Sequence, residues 1–290
     1  MNTRPMLLSG LLLLVVLCGC ATPPVAERGA VLTNVLYKSG ALTDYERERC
    51  VLDVYLPEAP TNFATLVWFH GGGLKGGRKE SVDAGINMPE VIRSLVRGGV
   101  AVVAPNYRLS PKAKFPAYIE DAAAAVAWTR AHIAEYGGDP NKLFIGGHSA
   151  GGYLALMVGL DARYLKKYGV PLPAVLGLLP VSGQTMTHYT VREERGLGKF
   201  TVTADEAAPV FFVRKDTPPM LVLYADRDMA ARAEENAYFV ALLQGAGNKG
   251  VTGKVIADRT HGSIAGKIAD EADPARLAML EFIQQTISKK

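Results

Sequence analysis

The chain has 290 residues, a net charge of +4, 49% hydrophobic and 21% charged residues. The charges are scattered, with no basic stripe or lysine-rich run, which leaves nucleic-acid binding without a basis. The length suits one large α/β domain, and no internal repeat or low-complexity tract divides it.

In chain order, residues 1–10 carry Arg4 and no acidic residue, and residues 11–17 are wholly apolar. They run into Leu17-Cys18-Gly19-Cys20. A positive start, a short apolar run and a small-residue exit predict a signal peptide over residues 1–19, since a spanning helix needs ~20 apolar residues. The ending resembles a bacterial lipobox. That resemblance implies a lipid on Cys20 and a chain held on a bacterial envelope membrane by acyl chains alone. Ala21, where an aspartate is absent, is compatible with the outer membrane. Cys50 then has no partner, so no intrachain disulfide is expected. Residues 20–30, proline-rich, small and without periodicity, read as a tether to a domain over 31–290.

Within that domain short β-rich runs appear at 50–56, 65–69, 100–104, 143–145, 175–179, 220–224 and 251–256. Helical patterns at 89–96, 118–136, 150–160, 231–243 and 274–288 lie between most of them. Runs such as "TLVWFH" and "VAVVAP" are almost continuously apolar, as strands covered on both faces must be. Strands alternating with helices predict a parallel, doubly covered sheet. Residues 182–218 break the rhythm; they predict either an insertion or lid that shapes access to a site, or a solvated loop with one helix.

The candidate chemistry sits at strand ends. After the second run stands His70-Gly71-Gly72-Gly73. No G-K-[ST] ending follows, and Lys75 is misplaced for a phosphate loop. Such a loop instead turns bare amides towards an oxygen that becomes negative, with Gly72 and Gly73 as donors and the amide of Ala150 as the third. Gly147-His148-Ser149-Ala150-Gly151 lies between a short strand and a helix, the context of a G-x-S-x-G nucleophile elbow. The glycines allow strain and close backbone approach, and the helix N-terminus favours a developing anion.

A serine hydroxyl needs a base. Of the five histidines, His148 adjoins the serine but points elsewhere, His70 buttresses the glycine loop, His132 reads as a helix-surface residue and His188 as a pocket-lining candidate in the insertion. His261, in "DRTHGS" after the last strand, is the expected base. "LVLYADRD" offers Asp226 and Asp228 between serine and histidine. The spacing favours Asp228 as the orienting acid and leaves Asp226 to fix the turn through backbone amides.

The motifs "LDVYLP", "VWFHGGGLKGG", "VAPNYRLSP", "FPAYIEDAAAAVAWTRAHIAEYGGDPNKLFIGGHSAGG" and "PPMLVLYADRD" cover most of residues 50–265. Together they resemble α/β-hydrolases of the esterase/lipase group related to hormone-sensitive lipase and to feruloyl or formamidase-like esterases. The resemblance implies an eight-stranded, mostly parallel sheet with helices on both faces, a small lid and a Ser-His-Asp triad. It also implies hydrolysis of small-molecule carboxylic esters without metal or cofactor. Two positions depart from the hormone-sensitive lipase branch: His148 stands where an aspartate is usual, and His261-Gly262-Ser263 replaces an H-x-F pattern. An amidase or formamidase with the same triad is the alternative chemistry. A catalytically silent binding lipoprotein is the alternative class, and it has no need of both a triad and a glycine loop.

Overall fold

The computed structural model describes residues 31–59, 61–83 and 85–289. The signal peptide, Cys20 and the tether therefore lie outside the described residues. Eight strands form the main sheet: β1 (Val31–Leu36), β2 (Val51–Tyr55), β3 (Phe63–Phe69), β4 (Ala101–Pro105), β5 (Gly138–His148), β6 (Val175–Val181), β7 (Met220–Arg227) and β8 (Val251–Thr260). Their order is β1-β2-β4-β3-β5-β6-β7-β8. The β1–β2 and β2–β4 pairs are antiparallel, and every other neighbour is parallel.

The sequence pattern explains the layering. β3, β4 and β6 are buried at every position, as parallel strands covered on both faces must be. Alternation along β3 divides its side chains between two cores. Val67 and Phe69 face one cluster with Tyr118, Ala122, Leu154 and Phe239. Leu66 and Trp68 face the other, with Val91, Ile92, Met279 and Ile283. Those clusters are the two helical layers, α1 (Met88–Arg97) and α6 (Pro274–Ser288) on one side. On the other lie α2 (Ala117–His132), α3 (Ala150–Leu160) and α5 (Arg232–Gly245), α4 (Tyr189–Glu194) being a short helix between β6 and β7. Helix α3 is buried along its whole length, consistent with "AGGYLALMVGL", which is apolar all round. Helix α6 begins where the sequence predicts. Asp273 caps it by accepting the Ala275 and Arg276 amides, and Pro274 follows.

Several details differ from the sequence expectation. Strand β1 is an eighth strand that no apolar run announces: it lies at the edge, mostly exposed, and Asn34 interrupts its pairing at φ 56°. The predicted 118–136 helix stops at His132 and continues as a tight 3₁₀ turn, Ile133–Tyr136, ended by Gly137 at φ 93°. A two-stranded ribbon, Val82–Asp83 with Ile86–Asn87, also forms before α1. Residues 182–218 hold α4 and a 3₁₀ turn, Pro209–Phe212. They are not simply a solvated loop, because Gln184, Thr185, Thr187, His188, Thr190 and Val191 are buried.

Candidate active site

All four candidate segments emerge at the C-terminal ends of parallel strands: residues 70–73 after β3, Ser149 after β5, Asp228 after β7 and His261 after β8. Parallel strands put these ends on one rim of the sheet, the usual place for ligands in open α/β folds.

The turn from β5 to α3 is tight. Ser149 sits at φ 56°, ψ −116°, outside the ordinary L-residue regions, with its amide held by Val181 O at 2.9 Å. The flanking glycines are required sterically. A Cβ on Gly151 would lie 2.0 Å from Phe69 O, and one on Gly147 would lie 2.6 Å from the same atom. Any side chain there would push α3 away from β3.

The expected base and acid come together with the serine. His261 Nε2 lies 2.8 Å from Ser149 Oγ, and His261 Nδ1 lies 2.6 Å from Asp228 Oδ1. A carboxylate only accepts, so Nδ1 carries the hydrogen and Nε2 is left to accept the serine proton. The Asp228 carboxylate is buried and also accepts the Met229 amide at 2.7 Å and the Ser182 hydroxyl at 2.5 Å. Burial pushes its pKa up, but the hydrogen bonds from His261 and Ser182 outweigh that, and the net direction is down. It therefore stays ionised beside the imidazole. Asp226 points elsewhere. Its carboxylate accepts the Asp258 and Arg259 amides, both at 2.9 Å, and so ties the end of β7 to the strand that leads into His261.

The remaining histidines are structural in their contacts. His148 is buried and its Nε2–H donates to His261 O at 2.7 Å, steadying the loop that carries the base. Burial first, and the neighbouring His261 second, lower its pKa to about 3, so it stays neutral at ordinary pH. His70 stacks on Tyr107 with centroids 4.4 Å apart and donates from Nδ1 to Gly71 O at 2.6 Å. His132 bonds Glu135 on the surface. The expectation that His188 lines the pocket is corrected: it is buried under α4, whose N-terminus it caps by accepting the Thr190 amide at 3.2 Å. Its neighbour Tyr189 lines the pocket instead.

The glycine loop lies against the serine. A Cβ on Gly71 would come within 3.4 Å of Ser149 Cβ. Gly72 and Gly73 adopt φ 109° and 63°, which turn the chain sharply, and the Lys75 and Gly76 amides close the turn on Gly72 O. No acceptor among the described residues takes the amides of Gly72, Gly73 or Ala150. Two contacts from α4 hold this loop. The Thr190 hydroxyl donates to Gly73 O at 2.5 Å, and the Tyr189 hydroxyl sits so close that a Cβ on Gly73 would be 1.9 Å from it. Gly72, Gly73, Ser149 and His261 border a cleft of about 610 Å³, walled further by Met88, Met229 and residues of the ribbon.

Sequence reasoning missed Ser182, Tyr189 and Thr190. The available signal was position, since Ser182 directly follows a buried parallel strand, as the other site residues do.

Comparison with known proteins fits this geometry. Residues 52–169 match the family model BD-FAE. The chain is 30% identical over 175 residues to Esterase LipQ and 34% over 163 residues to Probable carboxylic ester hydrolase LipM, both of Mycobacterium tuberculosis. Those matches take in 53% and 50% of this chain but 40% and 38% of the relatives, so the likeness spans less than half of either relative's length. Among solved structures, a truncated form of carbohydrate esterase from gut microbiota superposes with a TM-score of 0.74 at 23% identity, covering 91% of this chain and 99% of that one. Thermogutta terrifontis esterase 2 superposes at 0.68 and 20% identity, covering 91% and 96%. With the strand order and the elbow after β5, these likenesses establish that the chain has the α/β-hydrolase fold.

Proposed function

We propose that the protein is a serine hydrolase of carboxylic esters, with Ser149 as nucleophile, His261 as general base and acid, and Asp228 as the orienting carboxylate. The observation that carries this reading is the unbroken hydrogen-bonded line from Ser149 through His261 to buried Asp228 on the floor of a cleft. The family match and the printed names of the relatives support the same class.

In the first half-reaction Ser149 Oγ bonds to the ester carbonyl carbon while its proton passes to His261 Nε2. The carbonyl oxygen becomes an oxyanion within reach of the Gly72, Gly73 and Ala150 amides. These donors are fixed before reaction, so stabilising the new charge costs no reorganisation. The imidazolium is held by Asp228. Collapse breaks the bond to the alcohol oxygen, which leaves with the proton from His261, and Ser149 keeps the acyl group. Water then attacks that acyl-enzyme, giving its proton to His261, and a second collapse frees the acid and returns the proton to Ser149.

The test compares hydrolysis of short p-nitrophenyl esters by the soluble domain with and without Ser149→Ala. The substitution is expected to lower kcat by ~10⁴-fold or more, and a fluorophosphonate probe is expected to label only the unsubstituted protein. Equal rates for the two proteins overturn the assignment.

We further propose that residues 1–19 are a lipoprotein signal and that acylated Cys20 holds the domain at the bacterial envelope through the 20–30 tether. The lipobox-like Leu17-Cys18-Gly19-Cys20 supports this. In a bacterial host the full chain is expected to take up labelled palmitate and enter the detergent phase, and Cys20→Ala to lose both. Uptake unchanged in the variant overturns the anchor.

A further inference from the structure

Beside the catalytic cleft lies a second pocket of about 490 Å³, which shares Gly77, Arg78, Ser81 and Asp83 with it. Its charged lining is unbalanced: Arg49, Lys75, Arg78 and Lys112 face two carboxylates, Glu48 and Asp83. With Glu193 and Glu80, which pair from outside the lining, the carboxylates equal the cations in number, but among the described residues none of them is paired with Arg49 or Lys112. Lys75 pairs with Glu193. Arg78 reaches Glu48 at 3.4 Å and Glu80 at 4.0 Å, both loose and exposed. Lys112 lies over the Tyr45 ring at 5.0 Å.

Arg49 is the informative member. It is 2% exposed, yet its hydrogen bonds go only to main-chain oxygens, Tyr107 O from Nε at 3.0 Å and Gly77 O from Nη2 at 3.1 Å. Among the described residues no carboxylate lies within ion-pair distance of it. Buried charges are ordinarily paired. Carbonyl dipoles and the C-terminal end of its own short helix, Asp44–Arg49, give it partial negative charge and no full counter-charge. A planar guanidinium that lacks a carboxylate partner suits an oxyanion.

We propose that this pocket is a subsite for an anionic oxygen group, a carboxylate or a phosphate, and that the preferred esters carry such a group beyond the scissile bond. The proposal rests on the esterase reading for its second half only. Arg49 provides the buried charge, and Arg78, common to both pockets, joins the anion site to the cleft that holds Ser149.

Arg49 also pins two loops, so the decisive variant is the exposed pair Arg78→Gln/Lys112→Gln. Glutarate and inorganic phosphate are titrated calorimetrically into the intact protein at low and high NaCl. At least one is expected to bind, at least about tenfold more weakly in the double variant and in high salt, and the one that binds identifies the group. No binding of either, or binding that the variant leaves unchanged, overturns the subsite whatever the protein catalyses. In parallel, 4-nitrophenyl hydrogen glutarate is compared with 4-nitrophenyl pentanoate, and 3-carboxyphenyl butyrate with phenyl butyrate. The anionic ester of one pair is expected to have the higher kcat/KM, and the double variant to lower that ratio about tenfold. Hydrolysis of all four without discrimination overturns the preference for anionic esters and leaves the esterase reading standing. Hydrolysis of none, with Ser149 unlabelled by fluorophosphonate, defeats the esterase reading, and the calorimetry still decides the anion site.

Discussion

Asp226 and Asp228 are separated by one residue, and their carboxylates meet different partners: main-chain amides of residues 258 and 259 for the first, His261 and Ser182 for the second. Asp228→Asn is expected to lower kcat on a short ester by ~10⁴-fold, because an amide no longer fixes the Nδ1–H tautomer or stabilises the imidazolium. Asp226→Asn is expected to cost less than about tenfold, since it touches only the loop that carries the base. Similar losses in the two variants contradict this division. Ser182 donates to Asp228 from the end of a neighbouring strand and holds the carboxylate oxygen that His261 does not use. Ser182→Ala is expected to reduce kcat about tenfold to a hundredfold with KM little changed, a hydrogen bond to a charged group being worth ~1.5–3 kcal/mol. A rise in KM with kcat intact would assign Ser182 to substrate binding instead. Ser149, His261 and Asp228 were legible because each follows an apolar run inside a recognisable motif. Ser182 was not, because "VSGQ" has no pattern of its own and its partner stands 46 residues away.

Helix α4 shows why elements differ in legibility. Helices α3 and α6 span 11 and 15 residues and carry apolar patterning or a capped start, so sequence reading finds them at the bounds observed. Helix α4 has six residues, too few to be stable on their own. It is held from outside: Gln184 accepts the Tyr189 amide, and Arg192 donates to Thr201 O further along the insertion. Edge strand β1 escapes notice for a related reason, having only one neighbour and little burial. The external support of α4 reaches the glycine loop through the Thr190 hydroxyl on Gly73 O. Thr190→Val keeps the side-chain shape and removes that bond. It is expected to lower kcat several-fold to about tenfold through a looser oxyanion loop, with KM nearly constant because the reacting ester gains most from those amides in the transition state. Equal loss of folding stability and activity, seen as a shifted urea midpoint with kcat per folded molecule unchanged, would make the bond merely structural.

At the scale of the whole molecule, the parallel order of β4, β3, β5, β6, β7 and β8 gathers segments from four distant parts of the chain on one rim. The same packing buries three histidines around them, His70, His148 and His188. Burial is the leading cause in each case, lowering the first two to about 3 and the third well below its ordinary value. In the unfolded chain all three titrate near ~6.5. Between that value and about 3 the unfolded state therefore binds up to three more protons than the folded one. Stability is then complete above ~6.5 and falls as pH falls, by ~1.4 kcal/mol per pH unit for each histidine once the unfolded group is fully protonated. The window from ~6.5 to ~5 belongs to these groups, because the depressed carboxylates, Asp226, Asp228 and Glu46, lose their contribution only below the ordinary carboxylate range of ~4. Urea midpoints measured at pH 7.5, 6 and 5 are expected to drop steadily below 6.5. His188→Asn, which retains a good helix cap and lies away from the reacting atoms, is expected to remove about a third of that slope. A flat profile from pH 7.5 to 5, or an unchanged slope in the variant, would mean that these imidazoles take up protons within the folded protein, where a charged His148 would stand beside His261.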